Sequence, residues 1–315
     1  MSLTAIVAAA WMAAVGQAGG MEQMARQPET KPAQVQAAQQ VAQGAAVPAD
    51  HHAEKLGWVL GAQTWTFRDR TTVEALRTMG KLGLSAVEIC PGQKLSPDTG
   101  EAVFGPEMTA EQRELVKREA KAAGVTLHSL GVVEFGTEDA EKYFVLAKAL
   151  GMDMISCEPK PEALDLAQKL AEKYDLRLAI HNHPKPSRYC DPATVAAAAK
   201  GRDRIGACAD TGHWPRSGFT VMQGLTTLDG KIFELHFKDI VIDEKNPGGV
   251  DRPWGEGKQD AAGMLRELKR QGFKGVVLVE YEQGQGAELE ANVAKCAAFF
   301  RAQTAVLAAE GASKK

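Results

Sequence analysis

The 315-residue chain is predicted to form an α/β fold, a single (β/α)8 TIM barrel behind an N-terminal signal and linker extension. Three observations predict it. Eight short apolar runs recur from Gly57 onward, amphipathic stretches separate them, and no glycine-rich phosphate turn follows the first run. Strands that alternate with helices argue for a parallel sheet, because each parallel connection needs a crossover. Eight such units in about 250 residues match a closed barrel. A doubly wound open sheet would normally carry a GxGxxG turn after its first strand.

In chain order the runs are "WVLGAQTWTF", "AVEIC", "VTLHSLGVV", "MDMISCEP", "LRLAIHNHP", "IGACADTGHW", "IFELHFKDI" and "GVVLVEYE". Between them, stretches such as "TVEALRTMGKLG", "TAEQRELVKREAKAAG", "TEDAEKYFVLAKALG", "PEALDLAQKLAEKYD" and "AAGMLRELKRQG" place apolar residues at three and four spacing. Most close on a glycine or on an acidic-to-basic turn, as helices do. The barrel is expected over residues 56–305, with a short tail at 306–315.

Ahead of the barrel, residues 1–20 hold an apolar core suited to a signal peptide and too short to span a bilayer, although no Lys or Arg precedes it. Residues 21–55 are rich in Ala and Gln and read as a linker. Export to the periplasm or cell exterior is the expectation, with a cytoplasmic location if the segment is not cleaved. Stable membrane insertion is not expected.

The formal charge of -3 leaves no electrostatic footprint for nucleic acid or an anionic membrane. Cys90, Cys157, Cys190, Cys208 and Cys296 are scattered, odd in number and without a CxxC pair. They indicate neither a disulfide framework nor a thiolate zinc site.

A (β/α)8 barrel carries its chemistry at the C-terminal ends of the strands. The polar residues of the runs are Glu88, His128, Glu158, His181 and His183, Asp210 and His213, His236 and Asp239, and Glu280 and Glu282. Each alone is ordinarily a hydrogen-bonded structural group. Several carboxylates and imidazoles buried together without partners would be costly, and one metal ion satisfies them jointly. Imidazole with carboxylate suits Mn, Fe, Co, Ni or Zn better than a dedicated Ca or Mg cage. Period two puts His181 and His183 on the lumen face with Asn182 opposed, and puts Glu234, His236 and Lys238 on one face. Glu282 is expected beyond the rim.

"LAIHNHP", "ACADTGHWPRSG", "ELHFKD" and "VLVEYE", in this order on consecutive strands, resemble the sugar isomerase/epimerase branch of the xylose isomerase-like barrel superfamily. The resemblance runs from about Leu56 to Thr304. It implies one divalent ion (Mn, Zn, Co or Mg) held by Asp210, His236 and Glu280, with His181 in the fifth-strand ligand position. His213 is similar to the family histidine that touches the substrate or a second metal, and Arg216 and Lys238 sit where cations contact hydroxyl or carbonyl oxygens. The ketose 3-epimerases of the branch carry a glutamate where this chain has His181, so a symmetric two-glutamate epimerisation is not expected. Glu158 is the candidate to restore a second carboxylate, as ligand or base, or to orient a histidine. The "HNHP" form resembles a branch of exported bacterial proteins that act on keto-sugars and glycosides.

The expected reaction is metal-assisted proton abstraction beside a carbonyl, through an enediolate, on a small carbohydrate. Glu280 or Glu158 would be the base and His183 or His213 the proton donor. Reprotonation gives isomerisation or epimerisation, and loss of a β-substituent gives a lyase or hydratase reaction. Trp65, Trp214 and Trp254 are candidates to stack on a sugar ring, or to pack at the rim. The loop from Asp243 to Gln259 is expected to be a mobile cover or a solvated surface loop. Two other readings are an abasic-site endonuclease-like DNA repair enzyme, which the balanced charge disfavours, and a non-catalytic sugar-binding barrel. The sequence does not give the oligomeric state, although barrels of this kind commonly self-associate and a homo-oligomer is possible.

Overall fold

The computed structural model describes residues 50–310. Eight parallel strands close a barrel: β1 (Trp58–Gln63), β2 (Ala86–Ile89), β3 (Thr126–Phe135), β4 (Met154–Pro159), β5 (Arg177–His181), β6 (Ile205–Asp210), β7 (Ile232–Phe237) and β10 (Gly275–Val279). β10 pairs with both β7 and β1, so no edge strand is left. All eight correspond to the apolar runs of the sequence.

Helices cover the outside because their apolar stripes match that surface. The helix Thr72–Lys81 opens on a capping box in which the Thr71 side chain accepts from Glu74 N and the Glu74 carboxylate accepts from Thr71 N. The helix Ala110–Ala123 ends at Gly124, whose φ of 70° is left-handed, a conformation that costs glycine nothing. Val73, Leu76 and Met79 are buried on one such stripe, and Phe144, Leu170, Leu225 and Leu265 serve other helices. A single apolar layer between strands and helices holds most of the buried side chains.

Both domain boundaries move outward from the sequence expectation. Residues His51–Leu56, expected to close the linker, form a helix capped by Asp50. The Thr304 hydroxyl, on the last helix, donates to Asp50 Oδ2 at 3.2 Å. The last helix spans Gly286–Glu310 and so takes in half of the expected tail. It continues because Leu307 is buried and its carbonyl accepts from Lys269 Nζ. The expected signal segment and most of the linker lie outside the described residues. No helix among the described residues is long and apolar enough to cross a membrane.

The loop expected at Asp243–Gln259 is also corrected. β8 (Asp239–Asp243) and β9 (Asn246–Arg252) pair as an antiparallel hairpin beyond the end of β7. The segment after it folds onto Asp239, whose carboxylate accepts from the backbone N–H of Gly255, Gly257 and Gln259 at 2.9, 3.0 and 3.1 Å. A Cβ on Gly257 would lie 2.0 Å from Asp239 Oδ1, so only glycine permits this approach.

Candidate metal centre

Four side chains from consecutive barrel strands meet at the C-terminal end: His181 from β5, Asp210 from β6, His236 from β7 and Glu280 just past β10. One ligand atom from each lies within 4.8 Å of the others. All four residues are buried, and each presents a nitrogen or oxygen without a hydrogen-bond partner: His181 Nε2, Asp210 Oδ2, His236 Nδ1 and Glu280 Oε2. Orphaned buried polar atoms are rare because each forfeits its hydration. Four of them turned toward one point match the donor set of a divalent ion with open positions.

The local sequence explains how each ligand is held. Asp210 Oδ1 accepts from Gly212 N and His213 N, both at 2.8 Å, so the turn after β6 anchors one oxygen and leaves the other free. Asn182 carries the ladder past the end of β5: its amide donates to the Asp210 carbonyl at 3.0 Å and its oxygen accepts from Asp210 N at 2.9 Å. Expected to oppose the histidines, Asn182 bridges sideways to the next strand. The Thr211 hydroxyl donates to the Lys238 carbonyl and accepts from Lys238 N, both at 2.7 Å, tying the β6 turn to the end of β7. A Cβ on Gly212 would come within 2.8 Å of the Lys238 side chain. The sequence D-T-G-H thus supplies a candidate ligand, a stitch, a close approach and an imidazole.

Lys238 follows His236 on the lumen face, as period two requires. Its buried ammonium lies 3.0 Å from Asp210 Oδ2, 2.9 Å from Glu280 Oε2 and 3.3 Å from Glu282 Oε2. The first two contacts lack the angles of a hydrogen bond, so they are ion pairs that leave the oxygens' lone pairs open. Burial alone would lower the Lys238 pKa, but Asp210 and Glu280 outweigh it and hold the ammonium charged. Burial likewise raises Glu280, and Lys238 and His236 outweigh it, leaving this carboxylate ionised well below its ordinary range. Glu282, expected beyond the rim, turns back into the site.

Glu158 lies beside His181, with Oε1 3.5 Å from His181 Nδ1. Its Oε1 also accepts from His183 N at 3.1 Å and meets the His183 ring at Nδ1, and its Oε2 accepts from Ser187 Oγ at 2.8 Å. Burial raises this carboxyl, yet the neighbouring His181 and His183 imidazoles outweigh it and keep it ionised. The His183 ring is half-exposed and packs 4.3 Å, centroid to centroid, from His181. His213 sits with Nε2 3.4 Å from Asp210 Oδ2 and Nδ1 3.1 Å from Arg216 Nη1. Burial pushes His213 well below its ordinary pKa against the pull of Asp210, so it stays neutral. His181, His183 and His213 form a second close group beside the four ligands.

Arg216 is nearly spent within the protein. It donates to Asp251 Oδ1 at 3.0 Å and to the Gly248 carbonyl at 3.1 Å, both on β9. Asp251 Oδ2 accepts from Glu282 N, so the hairpin braces the rim. Trp65 keeps an exposed ring, with Arg68 5.5 Å above it. Trp214 and Trp254 are corrected as sugar platforms. Trp214 is fully buried against Gly224, where a Cβ would meet the indole at 2.3 Å. Trp254 donates from Nε1 to the Phe237 carbonyl and packs against the Phe237 ring at a tilt of 55°. His128 falls early in β3, where its Nε2 lies 3.4 Å from Glu234 Oε2 in the lower lumen. Glu88, absent from the ligand set that the resemblance implies, reaches His236 Nε2 at 3.0 Å.

Comparison with known proteins places this arrangement. The family described as xylose isomerase-like TIM barrel matches residues 76–303. A search of the curated proteins found no match. Among solved structures, an uncharacterized protein from Parabacteroides distasonis is 31% identical, with a TM-score of 0.63 over 79% of this chain and 99% of its own. A protein named IOLI, whose structure holds a zinc atom, is 20% identical, with a TM-score of 0.59 over 78% of this chain and 96% of its own. A 3-keto-D-glucoside 4-epimerase from E. coli is 13% identical, with a TM-score of 0.57 over 76% and 98%. At 20% identity and below the likeness is one of fold, whereas the family match spans most of the barrel. The chain belongs to the xylose isomerase-like TIM barrel family.

Proposed function

We propose that the protein is a divalent-metal-dependent sugar isomerase or epimerase, or a related lyase, acting on a keto-sugar or keto-glycoside through an enediolate. The observation that carries this reading is the convergence of four buried, unpartnered ligand atoms beside a buried ammonium at the C-terminal end of the barrel. Neighbouring structures of the same fold include sugar epimerases and a dehydratase, which supports the substrate class. A divalent ion would be held by His181, Asp210, His236 and Glu280 and would supply a Lewis acid able to polarise a substrate carbonyl.

The side chains divide the remaining work. Glu280, ionised between His236 and Lys238, is the candidate base. The Lys238 ammonium is placed to stabilise negative charge growing on a substrate oxygen. On another side of the centre, His183 is a proton carrier oriented by Glu158, its open ring able to exchange protons with substrate or water. His213 is neutral and contributes a hydrogen bond. Glu158 already receives three hydrogen bonds, which fits an orienting role better than that of the base or a ligand. The exposed Trp65 ring at the rim offers a face to a sugar.

The test is incubation of the metal-loaded protein with keto-sugars and 3-keto-glycosides in deuterated water. Deuterium on the carbon beside the carbonyl supports the enediolate reading, and product analysis separates epimerisation from elimination. Metal binding without deuterium incorporation in any candidate would refute the enzymatic reading and favour a sugar-binding barrel.

A further inference from the structure

His236 is fully buried, and its two ring nitrogens meet different carboxylates. Nδ1 lies 2.9 Å from Glu280 Oε2, on the side of the other ligands. Nε2 lies 3.0 Å from Glu88 Oε1, which reaches across the lumen from β2. Glu88 is itself fully buried, and Ser129 Oγ lies 3.3 Å from its other oxygen and 2.9 Å from Glu234 Oε2. A register shift between Val87 and Glu88 is what brings Ser129 opposite Glu88. Such irregularities re-aim side chains, and here one secures a carboxylate behind a candidate ligand.

We infer that Glu88 is a positioning residue: it accepts the Nε2 proton of His236 and so leaves Nδ1 as the lone-pair nitrogen facing Asp210 and Glu280. Both ring nitrogens face a carboxylate, but an ion among the four candidate ligands would need Nδ1 bare, and the one proton of a neutral imidazole then sits on Nε2, where a Glu88 oxygen accepts its hydrogen bond. A carboxylate behind a ligating imidazole also fixes the ring plane and raises the basicity of the other nitrogen. The inference rests on the metal-centre reading above and adds to it a residue from β2, on the far side of the barrel from the four ligands. A rival use of the same atoms exists. Glu88, Cys208 and His236 also form a close group, in which a metal would take Nε2 and make Glu88 a ligand.

The experiment titrates the full-length native, Glu88→Gln and Glu88→Asp proteins with zinc, and records long-range nitrogen–proton spectra of the imidazoles in the native protein. His236→Gln identifies the His236 signals. The expected native result is one zinc per chain, with the His236 proton on Nε2 and zinc on Nδ1. Glu88→Gln should weaken zinc binding about 10- to 100-fold. Its amide can turn an N–H toward the ring and draw the proton to Nδ1. Glu88→Asp, with its charge kept but its reach shortened, should fall between. Affinity of Glu88→Gln within twofold of native would overturn the inference, as would a native spectrum with zinc on Nε2. A second zinc that Cys208→Ala removes would show the rival use instead. A Glu88→Gln chain that does not fold leaves the native spectrum as the deciding measurement. A native protein that holds no zinc defeats the metal-centre reading itself, and the inference with it.

Discussion

Lys238 offers the sharpest prediction, because its ammonium touches the same oxygens that a metal would use. It lies about 3 Å from three carboxylates, and at an effective dielectric near 20 each contact is worth roughly 5 kcal/mol before desolvation is charged against it. Desolvation removes most of that sum, and breaking a buried ion pair from one side costs about 3–5 kcal/mol net. Lys238→Met should therefore destabilise the metal-free protein on the order of 3–5 kcal/mol. With saturating divalent ion the loss should shrink, since the dication takes over neutralisation of Asp210 and Glu280. The variant should also bind the ion more tightly than native, having lost a like charge beside the ligands. Urea denaturation of both proteins, with and without Mn, measures all three quantities. A stability gap that is the same in both conditions would refute the reasoning, because it would mean that the ammonium and the metal do not share the carboxylates.

Asp210→Ala and His236→Ala should each abolish metal retention after desalting, measured by elemental analysis, because each removes one donor of an open site. Glu158→Gln should keep the metal and lose turnover by one to two orders of magnitude, read as kcat at saturating substrate; loss of the metal would make Glu158 a ligand instead. Acid should unfold the metal-free protein through Glu158 and Glu280, whose folded pKa values lie below the ordinary 4.5. The unfolded chain then holds more protons, so stability is complete above about pH 4.5 and falls as pH drops below it, by about 1.4 kcal/mol per pH unit for each excess proton. Glu158→Gln should flatten that slope in urea midpoints taken from pH 3.5 to 6. Trp65→Ala should raise KM several-fold with kcat held, as the loss of about 0.5–1.5 kcal/mol of stacking predicts.

The barrel was legible because each strand is an apolar run that stops at a polar residue, and period two showed which side chains face the lumen, while the candidate ligand set came from the family resemblance. His181 and His183 share a phase in the sequence, and their rings pack together. Contacts that cross the barrel follow no local period. Glu88 and His236 are 148 positions apart, so nothing around either residue announces the pairing. The hairpin was illegible for another reason. Its second strand, "NPGGVDR", has no alternation and a single β-branched residue, Val250, and backbone pairing beside β8 makes it a strand. Trp214 and Trp254 show a third limit. A large ring near a strand end is read identically whether it faces a pocket or the packing beneath it, and a small partner such as Gly224 decides between them.

The hairpin has a consequence for how this barrel can diversify. It reaches the rim through Asp251, which meets Arg216 and Glu282, and through the Gly248 carbonyl, while its tip at Glu244 and Lys245 makes no hydrogen bond or ion pair to the four candidate ligands. Changes in the tip's length or composition can therefore accumulate without disturbing the candidate metal centre. Grafting a foreign tip between Asp243 and Asn246 would be the natural first move for anyone seeking to reshape the rim without touching the barrel.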